Sequence, residues 1–224
     1  MTRSQARNKI WQGAVAVDGV VERTIDRKVD PTASEITLDG HPLGFREYLY
    51  VMMNKPSGYV SATRDRDEAT VLELLPEEYR RRGMAPAGRL DKDTEGLLII
   101  TDDGAFAHKL ISPNKGVYKT YTARLDKPME RSAIKKFSEG IVLDSGEKCL
   151  PAQLCIGDEP CEVTIRICEG KYHQVKRMCA AVGCHVQALR RVAIGALSLD
   201  ESLEAGQCRL LSTEELEKLL QSEK

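Results

Sequence analysis

A carboxylate on a glycine-bracketed loop is the first chemistry this sequence offers. The stretch is Gly88-Arg89-Leu90-Asp91-Lys92-Asp93-Thr94-Glu95-Gly96-Leu97-Leu98-Ile99-Ile100-Thr101-Asp102-Asp103-Gly104. An aspartate can act as a nucleophile and form a covalent intermediate, and Asp91 stands where a polar loop gives way to an apolar run. Asp93 and Glu95 raise a second chemistry, because hydrolysis of a glycosidic bond needs two carboxylates flanking it. Alternate residues on a loop do not, however, face one another by spacing alone. The commonest work of a loop aspartate is to turn the backbone, so the neighbouring elements must decide.

Residues 96–101 read as a buried strand, with four aliphatics closed by a β-branched threonine and a turn at Asp102-Asp103-Gly104. Gly88 and Gly96 accept backbone angles that a Cβ resists. Asp91 is thereby tethered to a core strand, a geometry that holds one carboxylate still and leaves its front open. Residues 48–53 form a further strand entering Asn54-Lys55-Pro56-Ser57-Gly58, and residues 70–75 a short helix stopped by Pro76. Downstream the pattern gives a helix over 104–110, a strand over 119–125, an amphipathic helix over 129–139, a hairpin over 142–150 and strands over 153–156 and 162–168. A helix then runs from residue 172 to 182, with Tyr172, Val175, Met178, Cys179 and Val182 on one stripe and His173, Lys176 and Arg177 on another. Lys176 thus faces away from the core. A strand over 186–195 carries Arg190 and Arg191, and a capped helix spans 213–220.

Gly88-Arg89-Leu90-Asp91, Thr94, Gly96-Leu97-Leu98 and Thr101-Asp102-Asp103-Gly104 together resemble the signature of the pseudouridine synthases, in particular the RsuA-type branch that modifies ribosomal RNA. Asn54-Lys55-Pro56-Ser57-Gly58, Lys119-Thr120-Tyr121 and Gly170-Lys171-Tyr172-His173-Gln174-Val175-Lys176-Arg177-Met178 resemble further motifs of that family in the expected order, so the resemblance covers essentially the whole chain. It implies that Asp91 is the catalytic aspartate, that the ring of Tyr121 stacks on the target uracil, and that Lys176 is the basic residue pairing with Asp91. It implies no cofactor, a structural turn at Lys55, and a structural or RNA-contacting part for His173. The run Tyr172-His173-Gln174 is more similar to the small-subunit (16S) enzyme than to its large-subunit relatives. Because atoms within stacked RNA cannot be reached, the target nucleotide must be flipped out, and Arg89 beside Asp91 is the residue expected to fill its vacancy.

The net charge of -1 does not exclude a nucleic-acid partner, since attraction to phosphates depends on the local face. Arg89, Lys92, Lys119, Lys171, His173, Arg177, Arg190 and Arg191 are the residues expected to contact RNA, the last two as phosphate contacts on a basic C-terminal face. Seven cysteines occur without a Cys-x-x-Cys pair and mostly among aliphatics, which speaks against zinc or any metal and for reduced thiols in a cytoplasm. No apolar run approaches the roughly 18 residues of a membrane span, and residues 1–7 lack the apolar segment of a secretory signal.

A chain of 224 residues suits one large domain with a small appendage. Residues 1–43 hold a helix over 2–12, an Asp18-Gly19 hairpin and a strand and turn over 35–40, and residues 41–44 read as a linker. This pattern looks like an S4-like RNA-binding domain lacking the first helix with which that module begins. Its six basic and six acidic residues cancel. Residues 44–224 are expected to form an α+β catalytic domain on a mixed, mostly antiparallel sheet. The expected partner is ribosomal RNA, most of all that of the small subunit or an assembly intermediate, acted on by a monomer. A large-subunit target, a ribosome-assembly protein that binds RNA without chemistry, and a glycoside-type hydrolase are the alternatives. Uridine-labelled RNA separates the last two, as a hydrolase releases free uracil and a binder yields neither uracil nor pseudouridine.

Overall fold

The structure, a computed structural model, describes residues 1–221. The chain forms two compact units, Met1–Glu47 and Tyr48–Lys224, dividing slightly beyond the boundary read from the sequence. In the first unit, helix α1 (Arg3–Trp11) is closed at its start by a reciprocal cap in which Thr2 Oγ1 accepts from Gln5 N and Thr2 N donates to Gln5 Oε1. Strands β1 (Val15–Val17), β2 (Val20–Val21), β3 (Ile36–Leu38) and β4 (His41–Pro42) form a sheet of order β2-β1-β3-β4. Asp18-Gly19 and Asp39-Gly40 both take positive φ at their two central positions, as a tight hairpin requires; the sequence predicts the first as a hairpin and the second as a turn. His41 and Pro42, expected in a linker, instead complete this sheet. Val17 is the one buried hydrophobic side chain of this unit among the described residues, so its core is thin.

The second unit comprises β5 (Tyr50–Lys55), β6 (Ala85–Pro86), β7 (Glu95–Thr101), α2 (Gly104–Ile111), β8 (Lys119–Leu125), α3 (Ser132–Glu139), β9 (Gln153–Ile156), β10 (Glu162–Ile167), α4 (Gln174–Ala181), β11 (Val186–Ile194), β12 (Leu197–Ser198), β13 (Cys208–Leu210) and α5 (Thr213–Leu220). One sheet runs β13-β5-β7-β11-β8-β10-β9, with β6 on β7 and β12 on β11. Every pairing is antiparallel except β7 with β11. It is a mixed, mostly antiparallel α+β fold. Both faces of its centre are covered: Val51, Met53, Leu98 and Ile100 join one core, Met52, Leu97 and Ile99 the other. That is why β7 reads as an unbroken aliphatic run rather than an alternating one.

Gly96 is where the sheet needs glycine. Its φ is +100°, and a Cβ there would collide with the carbonyl oxygen of Arg191 on β11. Gly96 pairs with Lys55 on one side and Arg191 on the other, so it sets how closely the strands bearing these two cations approach.

Several local readings differ from the structure. The short helix expected over 70–75 is present at 71–74 as a 3-10 helix, but α3 begins at Ser132, and the expected hairpin over 142–150 is reduced to one bridge between Val142 and Lys148. Helix α4 begins at Gln174 because His173 sits at φ 47°, outside helical geometry. Tyr172 is therefore not on the apolar stripe and is 76% exposed. All seven cysteines are free thiols. No helix among the described residues is long and apolar enough to cross a membrane.

Candidate active site

The loop from Leu90 to Thr94 is pinned on both sides of Asp91. Upstream, Leu90 N donates to Ser61 Oγ at 3.0 Å and Ser61 Oγ donates to Leu90 O at 2.9 Å. Downstream, the fully buried Lys55 sends its ammonium to three carbonyls: Thr94 O at 2.8 Å, Pro56 O at 3.0 Å and Lys92 O at 3.1 Å. Burial pushes the Lys55 pKa down to about 8. The strand end that resembled a structural turn is thus a cationic clamp on the loop.

Asp91 is half-buried on this held loop and lines a cleft of about 800 Å³, together with Arg89, Lys119, Tyr121, His173 and Arg191. Lys176 Nζ approaches Asp91 Oδ2 to 3.3 Å and donates to Asp93 Oδ1 at 2.6 Å. Asp91, Tyr121 and Lys176 therefore come together, although Lys176 reaches Asp91 from α4 without lining the cleft itself. Burial works against the Lys176 charge, but its bonds to Asp93 and Asp91 prevail and raise its pKa above the usual lysine range. The same Lys176 bond holds Asp93 below the usual carboxylate range. His173 Nε2 lies 3.6 Å from Asp91 Oδ1, and the exposed Tyr172 ring stacks on the His173 ring at 3.9 Å.

Of the eight residues expected to contact RNA, Lys119 and His173 line the cleft, and the other six separate into three groups. Arg89 is exposed at the cleft without an ion pair among the described residues. Lys92, Lys171 and Arg177 are engaged with acidic side chains: Glu68 at 2.6 Å, Glu147 at 2.7 Å and Asp144 at 2.8 Å. The Glu147 and Asp144 contacts raise the pKa values of Lys171 and Arg177 respectively. Arg190 and Arg191 do not share a basic surface, because neighbours on a strand point to opposite faces. Arg190 is half-buried with Nη2 3.4 Å from Asn54 Oδ1, whereas Arg191 is buried against Tyr121. The placement of Arg191 corrects the phosphate-contact expectation: strand alternation turns it into the cleft.

Ser61 and the clamping role of Lys55 leave no local signal in the sequence, since their partners on the Asp91 loop lie 29 to 39 residues away. Spacing alone gives no assurance that Asp93 faces Asp91, and the structure joins the two through Lys176.

Residues 49–181 match the family model described as RNA pseudouridylate synthase. The chain is 43% identical to an uncharacterized RNA pseudouridine synthase of Bacillus subtilis, over 96% of this chain and 91% of the relative. It is 39% identical to the ribosomal small subunit pseudouridine synthase A of Escherichia coli, over 96% and 93%, and 41% identical to that of Yersinia pestis, over 96% and 92%. A crystal structure of a pseudouridylate synthase matches with a TM-score of 0.72 at 38% identity, covering 98% of this chain and 94% of the other. With a carboxylate opening onto a cleft that a tyrosine ring also lines, and with these relatives over nearly its full length, the chain belongs to the RNA pseudouridine synthase family.

Proposed function

We propose that this pseudouridine synthase isomerises one uridine of small-subunit (16S) ribosomal RNA, with Asp91 as the reacting carboxylate, Tyr121 as the surface on which the uracil stacks and Lys176 as the cation that orients Asp91. The observation that carries the reading is the pinned Asp91 loop opening onto a cleft that Tyr121 also lines. Isomerisation breaks the N-glycosidic bond, turns the base and rejoins it through carbon, so the detached base must be kept in place. Stacking on an aromatic ring contributes roughly 1 to 3 kcal/mol per base and serves that retention. Arg89, exposed at the cleft and without an ion pair among the described residues, is suited to occupy the place vacated by the flipped nucleotide.

The small-subunit target is supported by the relatives of that name in Escherichia coli and Yersinia pestis and by the Tyr172-His173-Gln174 run. The unit Met1–Glu47 serves as an S4-like docking module for the same RNA, and the enzyme works as a cytoplasmic monomer without a cofactor. Mapping pseudouridines in ribosomal RNA from a strain lacking the gene tests the target. Loss of one small-subunit site is expected, and loss of a large-subunit site instead overturns the assignment.

A further inference from the structure

Beside the Tyr121 ring, the cleft holds two cations to which the reaction as described gives no work. Lys119 is 7% exposed and Arg191 4%. Lys119 lies two residues before Tyr121 on β8, so both side chains leave the same face, and Arg191 is the cross-strand partner of Tyr121 on β11. The Arg191 guanidinium carbon lies 5.9 Å from the Tyr121 ring centroid, with Nη1 3.4 Å from Tyr121 Oη and Nε donating to Leu97 O at 2.8 Å. Lys119 Nζ and Arg191 Nη2 are buried yet have no hydrogen-bond partner among the described residues. Buried donors are nearly always satisfied, and an unpaired buried charge is strongly unfavourable. Two of them, one on the strand that carries Tyr121 and one paired across from it, mark the place where a ligand brings acceptors that carry negative charge.

We propose that Lys119 and Arg191 form a cationic edge to the Tyr121 platform, which holds the uracil carbonyl oxygens and takes up the negative charge of the base while it is detached from the sugar. This rests on reading the cleft as the site of uridine isomerisation. When the bond from sugar C1′ to N1 breaks, its electron pair stays with N1 and spreads to the ring carbonyl oxygens, while the electron-poor C1′ is paired with the Asp91 carboxylate. The turned base spends that charge in forming the bond from C5 to C1′, and the C5 proton passes to N1, so only the isomer leaves. Lys119 and Arg191 stay protonated throughout and act by fixed charge, as donors aimed where charge develops. A backbone phosphate would need its cations at the surface, whereas these two side chains are buried and line the same cleft as the Tyr121 ring.

The test compares wild type, Lys119→Met and Lys119→Arg on a mixture of unmodified small- and large-subunit ribosomal RNA, measuring total pseudouridine formed in a single turnover. A wrong subunit assignment then shows as product in the other RNA and leaves the comparison intact. Because Lys119 Nζ has no partner to lose, Lys119→Met should fold with an unchanged or raised Tm and bind RNA with the same salt dependence. Its turnover at saturating enzyme should fall about 100-fold, the scale of removing one preorganised donor, with partial recovery in Lys119→Arg. Burial, reinforced by Arg191 and opposed weakly by Cys168, lowers the Lys119 pKa to about 8. The charged form is the working one, so the rate ratio of wild type to Lys119→Met should shrink as pH rises past that value. Lys55, which titrates in the same range, is common to both proteins and cancels. Unchanged turnover in Lys119→Met, a ratio flat with pH, or a defect confined to RNA affinity with a reduced salt slope would overturn the proposal.

Discussion

Replacing Lys176 by Met removes the cation 3.3 Å from Asp91 Oδ2 and leaves the clamps of Ser61 and Lys55 on the loop intact. Coulomb attraction at that separation runs from about 1 kcal/mol in water to about 5 kcal/mol at an effective dielectric constant of about 20. Both side chains retain about a quarter of their exposure, and Lys176 is shared with Asp93 at 2.6 Å, so the working figure lies inside those limits. Hydrogen bonds to charged groups contribute about 1.5 to 3 kcal/mol, which at about 1.4 kcal/mol per decade is a loss of about 10- to 150-fold in rate. Single-turnover pseudouridine formation with saturating enzyme is the assay, run beside a binding isotherm for the same RNA. Turnover should fall by that factor with affinity changed far less, and Lys176→Arg should restore much of the rate. Asp93→Asn, which leaves Lys176 to Asp91 alone, should lower the rate by less than about threefold, since Asp93 lies on the exposed side of the contact. Equal turnover in wild type and Lys176→Met, with only binding weakened, would make Lys176 a phosphate contact and refute the orienting role.

Two further expectations concern the frame that holds the site. Lys55→Met deprives the Thr94 and Pro56 carbonyls of their donor, and at about 1 to 3 kcal/mol for an unsatisfied buried group it should lower stability in urea and slow turnover through a looser Asp91 loop. The folded protein sheds the Lys55 proton near pH 8 while the unfolded chain keeps it to about 10.5, so the unfolded state binds more protons across that window. The stability of wild type relative to Lys55→Met should then rise with pH from 8 to 10.5, by as much as about 3 kcal/mol, and a gap that narrows over that range contradicts the assignment. Gly96→Ala forces a Cβ against the Arg191 carbonyl at φ +100°, whereas Gly146→Ala at φ +80° meets open space. The first should destabilise by about 3 kcal/mol or more and the second by about 1 kcal/mol; equal midpoints in urea would show that the close approach of β7 and β11 is dispensable.

What the sequence disclosed and what it withheld divide along sequence distance. Strand β8 and helix α5 occupy the residues their patterns indicated, because alternation and a Ser212–Glu215 capping box are local signals. The Asp18-Gly19 turn is equally local. The proximity of Asp91, Tyr121 and Lys176 was legible only through motif order, and the structure brings all three together. Local chemistry could not show that Lys55 reaches carbonyls on the Asp91 loop or that a left-handed His173 delays α4 by two residues. Each of these is fixed by neighbouring strands and packing, which single-residue patterns do not encode. The opposing faces of Arg190 and Arg191, by contrast, follow from strand period alone.

Asp91→Asn tests the central chemical assignment most directly. The substitution keeps the size of the side chain and its place on the loop that Ser61 and Lys55 hold, while removing the carboxylate's charge and nucleophilicity. Pseudouridine formed in small-subunit ribosomal RNA should be undetectable with Asp91→Asn under conditions where wild type completes a turnover, with Tm and RNA affinity unchanged. Turnover above about a hundredth of the wild-type rate in the purified variant would show that the reaction proceeds without this carboxylate, and the assignment of Asp91 would fail with it.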